Sequence, residues 1–297
     1  MNIYLDKIFI RIIKSIFIIL LIFGSVKTSI LYGQDKLATP TIIDSLPKIP
    51  DSWEQFSLSI GAFLTNYNSG ISFGSEQVGL GIHINIEDAL GLKTSTIGFR
   101  ANVNYRFGKN RRHAFSFGYF GIYRNSHKVL EKELEVGKVT LPVGAEIKSD
   151  FDLTILRVKY DYSFLHNNYV SIGVSFGLFI LPISFSIKTL NFEDQAEDFI
   201  APLPVFGLRS DFVIAKNLYL HQSIELLLFS IENVQGRILD IDISLEHRTF
   251  KNVSFGMGIN SNRLNISAKG KDYSNIDFFG KLEMEYTGIY LFAKYRF

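Results

Sequence analysis

The chain has 297 residues, of which 47% are hydrophobic, 14% aromatic and only 20% charged. Its 31 basic and 29 acidic side chains nearly cancel, so no large field steers it to nucleic acid, and the apolar content excludes a disordered tail or a coiled coil. With no cysteine, a disulfide framework, a Cys-ligated zinc, a thiol nucleophile and a lipidated N-terminal cysteine are all excluded. The mean hydropathy, +0.16, is mildly positive, which raises the question of where the apolar residues are held.

Residues 1–33 read as a signal peptide. Lys7, Arg11 and Lys14 precede an apolar core at 16–23 that is too short to cross a bilayer of about 30 Å as a helix. Residues 34–54 carry Pro40, Pro47 and Pro50 and read as a periplasmic lead-in, since proline blocks helix and ladder hydrogen bonding alike. The third unit is 55–297.

From residue 55 onward the apolar residues recur with a period of two. Ile97, Phe99, Ala101, Val103 and Tyr105 alternate with Gly98, Arg100, Asn102, Asn104 and Arg106. Val170, Ile172, Val174, Phe176, Leu178 and Ile180 alternate with serines and glycines, and Leu239, Ile241, Ile243 and Leu245 alternate with Asp240, Asp242, Ser244 and Glu246. Such segments run on the order of 10 to 14 residues, longer than the usual five or six of soluble strands and matched to a tilted membrane span. Aromatic rings gather at segment ends, where a membrane–water interface selects them, and Trp53 is expected to be one of these interface rings. The fold class expected is therefore all-β: a closed transmembrane up-and-down antiparallel barrel, with apolar residues toward lipid and polar ones toward the lumen. Closure is required because backbone groups in lipid must all be paired internally.

Short polar turns at 108–112, 165–168, 215–217 and 249–252 divide the chain into the hairpins 55–107, 112–164, 168–214, 218–249 and 253–297. That division predicts about ten strands, with eight to twelve open because 66–94 has room for another pair. Both ends fall on the turn side, which in outer-membrane barrels is the periplasm. The longer connections then face outward, and several alternate themselves, so strands are expected to continue beyond the bilayer.

The last strand ends Ile289-Tyr-Leu-Phe-Ala-Lys-Tyr-Arg-Phe297. It resembles the C-terminal signal of bacterial outer-membrane barrels, in which Tyr295 and Phe297 would be read by the barrel-insertion machinery. INIEDALGL (84–92), the segment 104–120 and APLPVFGLRSDF (201–212) are similar to an uncharacterised Gram-negative barrel family, OmpA/OmpX-like in the broad sense; the signal peptide ending LYGQ resembles those of Bacteroidetes-type bacteria. The resemblance implies an integral outer-membrane protein that contacts lipid and lipopolysaccharide and binds no nucleic acid, with any surface ligand unidentified.

Candidate chemistry is sparse. His221 and Ser223 share a strand face at the spacing some barrel lipases use, where the imidazole can deprotonate the hydroxyl. The polar face there also holds Tyr219 and Glu225, so a lumen network explains the pair as well. Glu87-Asp88 and Glu131/Glu133/Glu135 read as solvated loop acids, with attraction of Ca²⁺ as the sharper alternative. No cofactor and no metal site is expected. The most informative polar set is a lumen charge network of Arg100, Arg106, Arg157, Lys159, Asp161, Arg209, Asp211, Glu225, Asp240, Asp242, Glu246 and Arg248. Paired across a narrow bore, these charges would plug it; arrayed as basic and acidic walls, they would line a small-solute pore. The functional expectation is a non-enzymatic barrel with a structural, surface-interaction or envelope-integrity role. A narrow solute or ion channel is the alternative, and a lipid-modifying enzyme using His221 and Ser223 the second alternative.

Overall fold

The computed structural model describes residues 53–75, 79–136, 139–189, 195–231, 234–268 and 280–297. The expected signal peptide and most of the lead-in lie outside the described residues.

The long strands are β1 (Phe56–Ser75), β3 (Ser95–Phe107), β4 (His113–Val129), β7 (Glu146–His166), β8 (Val170–Thr189), β9 (Gln195–Ala215), β10 (Leu218–Ile231), β11 (Val234–His247), β12 (Val253–Ala268) and β13 (Gly280–Arg296). Short strands fill the connections: β2 (Gly79–Asn85), then β5 (Leu134–Val136) paired with β6 (Val139–Leu141). Each long strand pairs antiparallel with the next, and β13 returns to β1 from Ser57↔Arg296 to Phe73↔Gly280, so ten strands close a barrel without a break at the seam. The ten strands and the four turns follow the division made from the sequence. The turns are tight because their residues tolerate left-handed backbone: Gly108, Asn110 and Asn217 have φ of 79°, 62° and 63°.

On several strands the two faces carry opposite polarities in the two halves of the barrel. On β7, the inward positions Ile147, Phe151, Leu153 and Ile155 are fully buried, whereas further toward the turn end they become Arg157, Lys159 and Asp161. Outward positions change in the reverse sense, from Lys148, Asp150 and Asp152 to Val158, Tyr160 and Tyr162. β13 repeats the change: Leu282, Met284 and Tyr286 face in above, Lys294 below, while Glu283 and Glu285 give way outside to Ile289 and Leu291. The expected arrangement, apolar residues outside and polar ones toward the lumen, thus holds for the turn-side half and is inverted on these strands in the half that continues beyond the bilayer. On the turn-side half the outer belt is bare and apolar, with Ile97 72% and Leu291 63% exposed. In the far half the strands rise past the bilayer into water and take the pattern of a soluble barrel, greasy inside and polar outside.

One sector of the far half is walled differently. β3 pairs with β4 only up to Phe99↔Gly121, and β2 extends the sheet beside the upper part of β1 instead. The space along Ile122–Val129 of β4 is covered by a short helix, α1 (Ile86–Leu90). Asn85 caps it, its side-chain oxygen accepting from the Asp88 N–H at 2.8 Å, and Gly91 ends it at φ 71°. The Ser126 hydroxyl and the Lys128 ammonium donate to the Leu90 and Asp88 carbonyls, each at 2.6 Å, tying helix to strand. Ile86, Leu90 and Leu92 point inward and join Phe63, Tyr67, Phe120, Phe151 and Tyr286 in one buried cluster that fills the far half.

Candidate functional site: the lumen

The turn-side half of the lumen brings all twelve sequence-predicted charges together. Arg100 pairs with Asp242 at 2.7 Å, Arg157 with Asp240 at 2.9 Å and Lys159 with Glu225 at 2.5 Å. Asp211 receives both Arg106 at 3.1 Å and Arg209 at 2.8 Å, and Arg209 also lies 3.7 Å from Asp161. Most of these pairs span the bore: β3 to β11, β7 to β11, β7 to β10 and β3 to β9. The network has further members that the sequence reading omitted. Lys294 of the last strand contacts Glu246 at 2.9 Å and also Glu54, and Arg248 reaches Glu54 at 2.9 Å. With these included, the paired side chains number seven cations and seven anions. The inward position of Lys294, alternating with Tyr295, was the signal that could have found it.

Cross-bore pairing is what charges in a confined space require, since an unpaired ion there costs several kcal/mol on the order of magnitude. Asp240 shows how completely the demand is met. It is fully buried and accepts from Arg157, from the Asn260 amide at 2.9 Å and from the Asn262 amide at 2.7 Å. At the boundary with the apolar half, Arg100 stacks 4.4 Å over the Tyr290 ring and Arg157 5.0 Å over Phe179. The Tyr290 hydroxyl donates to Asp242 at 2.7 Å. A cavity of about 200 Å³ remains among the charges, bordered by Arg100, Lys159, Asp161 and Asp242.

The turn-side mouth is closed by the chain itself. Trp53, expected among the rings at the membrane interface, is 5% exposed and lies inside the barrel floor. Its indole N–H donates to the Asn167 carbonyl at 2.6 Å, and its ring packs against Tyr219 and His166. A single Trp at the start of a strand has the sequence position of a girdle ring; the turn into the mouth, where Arg111 donates to the Trp53 carbonyl, takes it inward. Tyr295 and Phe297 point outward at this rim, 43% and 68% exposed, and Phe297 packs on Phe56.

Glu54, ahead of the first strand, is held by this floor. Burial alone would raise its carboxyl, but Lys294, helped by Arg106 and Arg248 against the repulsion of Glu246, brings it down to about 2. A value lowered on folding stabilises fully above the ordinary value of 4.5 and loses that contribution as pH falls toward 2. The stability gap between wild type and Glu54→Gln is therefore expected to shrink between pH 4.5 and 2, by at most about 1.4 kcal/mol per pH unit. Urea unfolding in detergent micelles at several pH values measures it.

His221 and Ser223 face the lumen in the turn-side half without forming a nucleophile–base pair. Both ring nitrogens of His221 are engaged by carboxylates, Nδ1 with Asp211 at 2.7 Å and Nε2 with Glu246 at 3.1 Å. The Ser223 hydroxyl donates to Glu225 at 3.4 Å instead. Glu87 is likewise no solvated loop acid: it is buried on Arg124 at 2.6 Å and accepts from the Ser69 N–H at 2.8 Å. Among the described residues no group of three His, Asp or Glu side chains is arranged to hold a metal ion.

Ten strands closed on themselves, a bare apolar belt on the turn-side half and short turns at one end leave one assignment. The chain is a closed transmembrane β-barrel of the outer-membrane kind. No protein-family model matches it, and no curated protein matches its sequence. Among solved structures it is similar to the outer membrane protease OmpT from Escherichia coli, with 9% identity and a TM-score of 0.53 over 82% of this chain and 96% of that one. Ail, the attachment invasion locus protein of Yersinia pestis, aligns with 82% of this chain and all of its own (100%), at 15% identity and a TM-score of 0.32. The transport unit of the autotransporter AIDA-I from Escherichia coli covers 92% of this chain and 98% of its own, at 10% identity and a TM-score of 0.39. The first likeness speaks for the fold alone, and the two weaker ones add no argument to it.

Proposed function

We propose that this barrel conducts no solutes and has a structural, surface-interaction or envelope-integrity role in the outer membrane. The observation that carries the reading is that the bore is filled twice. A charge-balanced network and the Trp53 floor occupy the turn-side half, and a dry cluster built on Phe63, Phe120, Phe151 and Tyr286 occupies the other. A solute path needs a continuous polar bore, and aromatic packing across the far half opposes one. The non-enzymatic reading is supported by the double engagement of His221 with carboxylates. In this reading the apolar belt meets lipid, the polar far half stands among lipopolysaccharide and in water, and Tyr295 and Phe297 remain available to the insertion machinery.

Proteoliposomes carrying the full chain, diluted into isotonic small sugars or amino acids, are expected to swell no faster than protein-free liposomes. Faster swelling with a size cutoff would replace this reading with the narrow channel. Release of fatty acid from lipid A or phospholipid that disappears in Ser223→Ala would replace it with the lipid-modifying enzyme.

A further inference from the structure

His221 stands outside the seven cations and seven anions of the lumen network, and its surroundings fix its charge. Its Nδ1 lies 2.7 Å from Asp211 and its Nε2 3.1 Å from Glu246. A neutral imidazole has one N–H and one bare lone pair, and the bare nitrogen would here face a carboxylate. Neither acid supplies the missing proton, because Arg106 and Arg209 hold Asp211 ionised and Lys294 does the same for Glu246. Both ring nitrogens therefore donate, and His221 is an imidazolium. With it the lumen carries eight cations against seven anions.

The surplus charge borders open space. His221, Arg100, Arg106, Arg157, Lys159 and Arg209 all line the cavity of about 200 Å³. Arg106 and Arg157 are only 2% and 8% exposed, and the Nε–H of each has no acceptor among the described residues. One stretch of the surrounding wall is free of carboxylates. Strands β1, β3 and β4 are consecutive in the ring and contain no Asp or Glu, yet β3 contributes Arg100 and Arg106. Asn104 Oδ1 and Asp161 Oδ1 also lack partners on this wall, and the cavity has room for water beside an ion.

We propose that this cavity is a binding site for one monovalent inorganic anion of the chloride class. It is held with water against the guanidinium N–H groups that lack acceptors, and it compensates the charge that His221 adds. An uncompensated ion in a confined site is costly, which gives the anion its affinity, whereas a cation would add to the surplus. With the ion in place the lumen reaches charge balance, and the bore stays closed to solutes.

The full chain is refolded from urea into detergent micelles in sodium chloride, bromide or gluconate at matched ionic strength. Gluconate, a bulky organic anion, controls for ionic strength alone. At about tenfold above the half-saturating concentration, chloride or bromide is expected to raise the folded-to-unfolded ratio about 11-fold over gluconate. His221→Gln removes the eighth cation, and its gain under the same conditions is expected to be less than about twofold. Crystals of the wild-type chain grown in bromide are expected to show an anomalous peak inside the cavity, which decides the matter should His221→Gln not fold. Equal stabilisation by gluconate, an undiminished gain in His221→Gln, or bromide found only on the outer surface would each overturn the proposal.

Discussion

Replacing Asp240 with alanine is expected to lower the unfolding free energy by about 3–5 kcal/mol, among the largest effects available to a single substitution in this barrel. The carboxylate is fully buried and serves three donors: Arg157, Asn260 and Asn262. Its loss strands the Arg157 guanidinium beside Phe179 with only a long contact to the Tyr286 hydroxyl at 3.4 Å. The buried Asn262 amide loses its acceptor as well, an orphan that costs about 1–3 kcal/mol, whereas the Asn260 amide keeps the Ile241 carbonyl at 3.0 Å. Asp240→Asn keeps the shape but removes the charge and offers Asn260 and Asn262 a donor on one side, so it should fall between wild type and alanine. Urea titration of heat-modifiable mobility, or of tryptophan emission from Trp53 in the barrel floor, gives the order.

The second large effect is expected in the far half. Glu87→Ala should cost about 3 kcal/mol or more, because it leaves Arg124 charged among rings. That guanidinium lies 4.6 Å from the Tyr67 ring and 4.7 Å from the Phe151 ring, and among the described residues it would keep a hydrogen bond to the Ser69 hydroxyl at 3.2 Å. Since Glu87 anchors α1 across the gap between β2 and β4, the same variant should make the connection near the helix sensitive to added protease in intact cells. The double variant Glu87→Ala/Arg124→Met should recover most of the loss, as removing both ions of a buried pair is often close to neutral. The cycle separates the latch from loss of packing: if the double variant is no better than the sum of the two singles, the pair does not hold the helix.

The strand count was legible because the turns are short, polar and rich in Asn and Lys, and because whole hairpins between them add strands two at a time. The lumen charges were legible for a related reason. In the turn-side half an outward Val158 and an inward Arg157 sit in different solvents, so their types differ visibly along the chain. The inversion farther up was not legible. A strand with apolar residues inside and polar ones outside has the same period of two as its mirror arrangement, and nothing in Ile147–Ile155 says which side is wet. Helix α1 escaped because five residues are too few to show a helical period, and Glu87 passed for a loop acid until Arg124, distant in sequence, was beside it. Glu54 was read as lead-in and Trp53 as an interface ring because a segment that folds back into a mouth has no pattern of its own.

The twofold filling of the bore is tested most directly by single-channel recording of the purified wild-type chain in planar bilayers. Insertion shown by protease protection, with no reproducible conductance steps over long records, is the predicted result. Regular steps whose size changes in Arg157→Ala would contradict it, because they would require an open path through the network and the aromatic cluster above it.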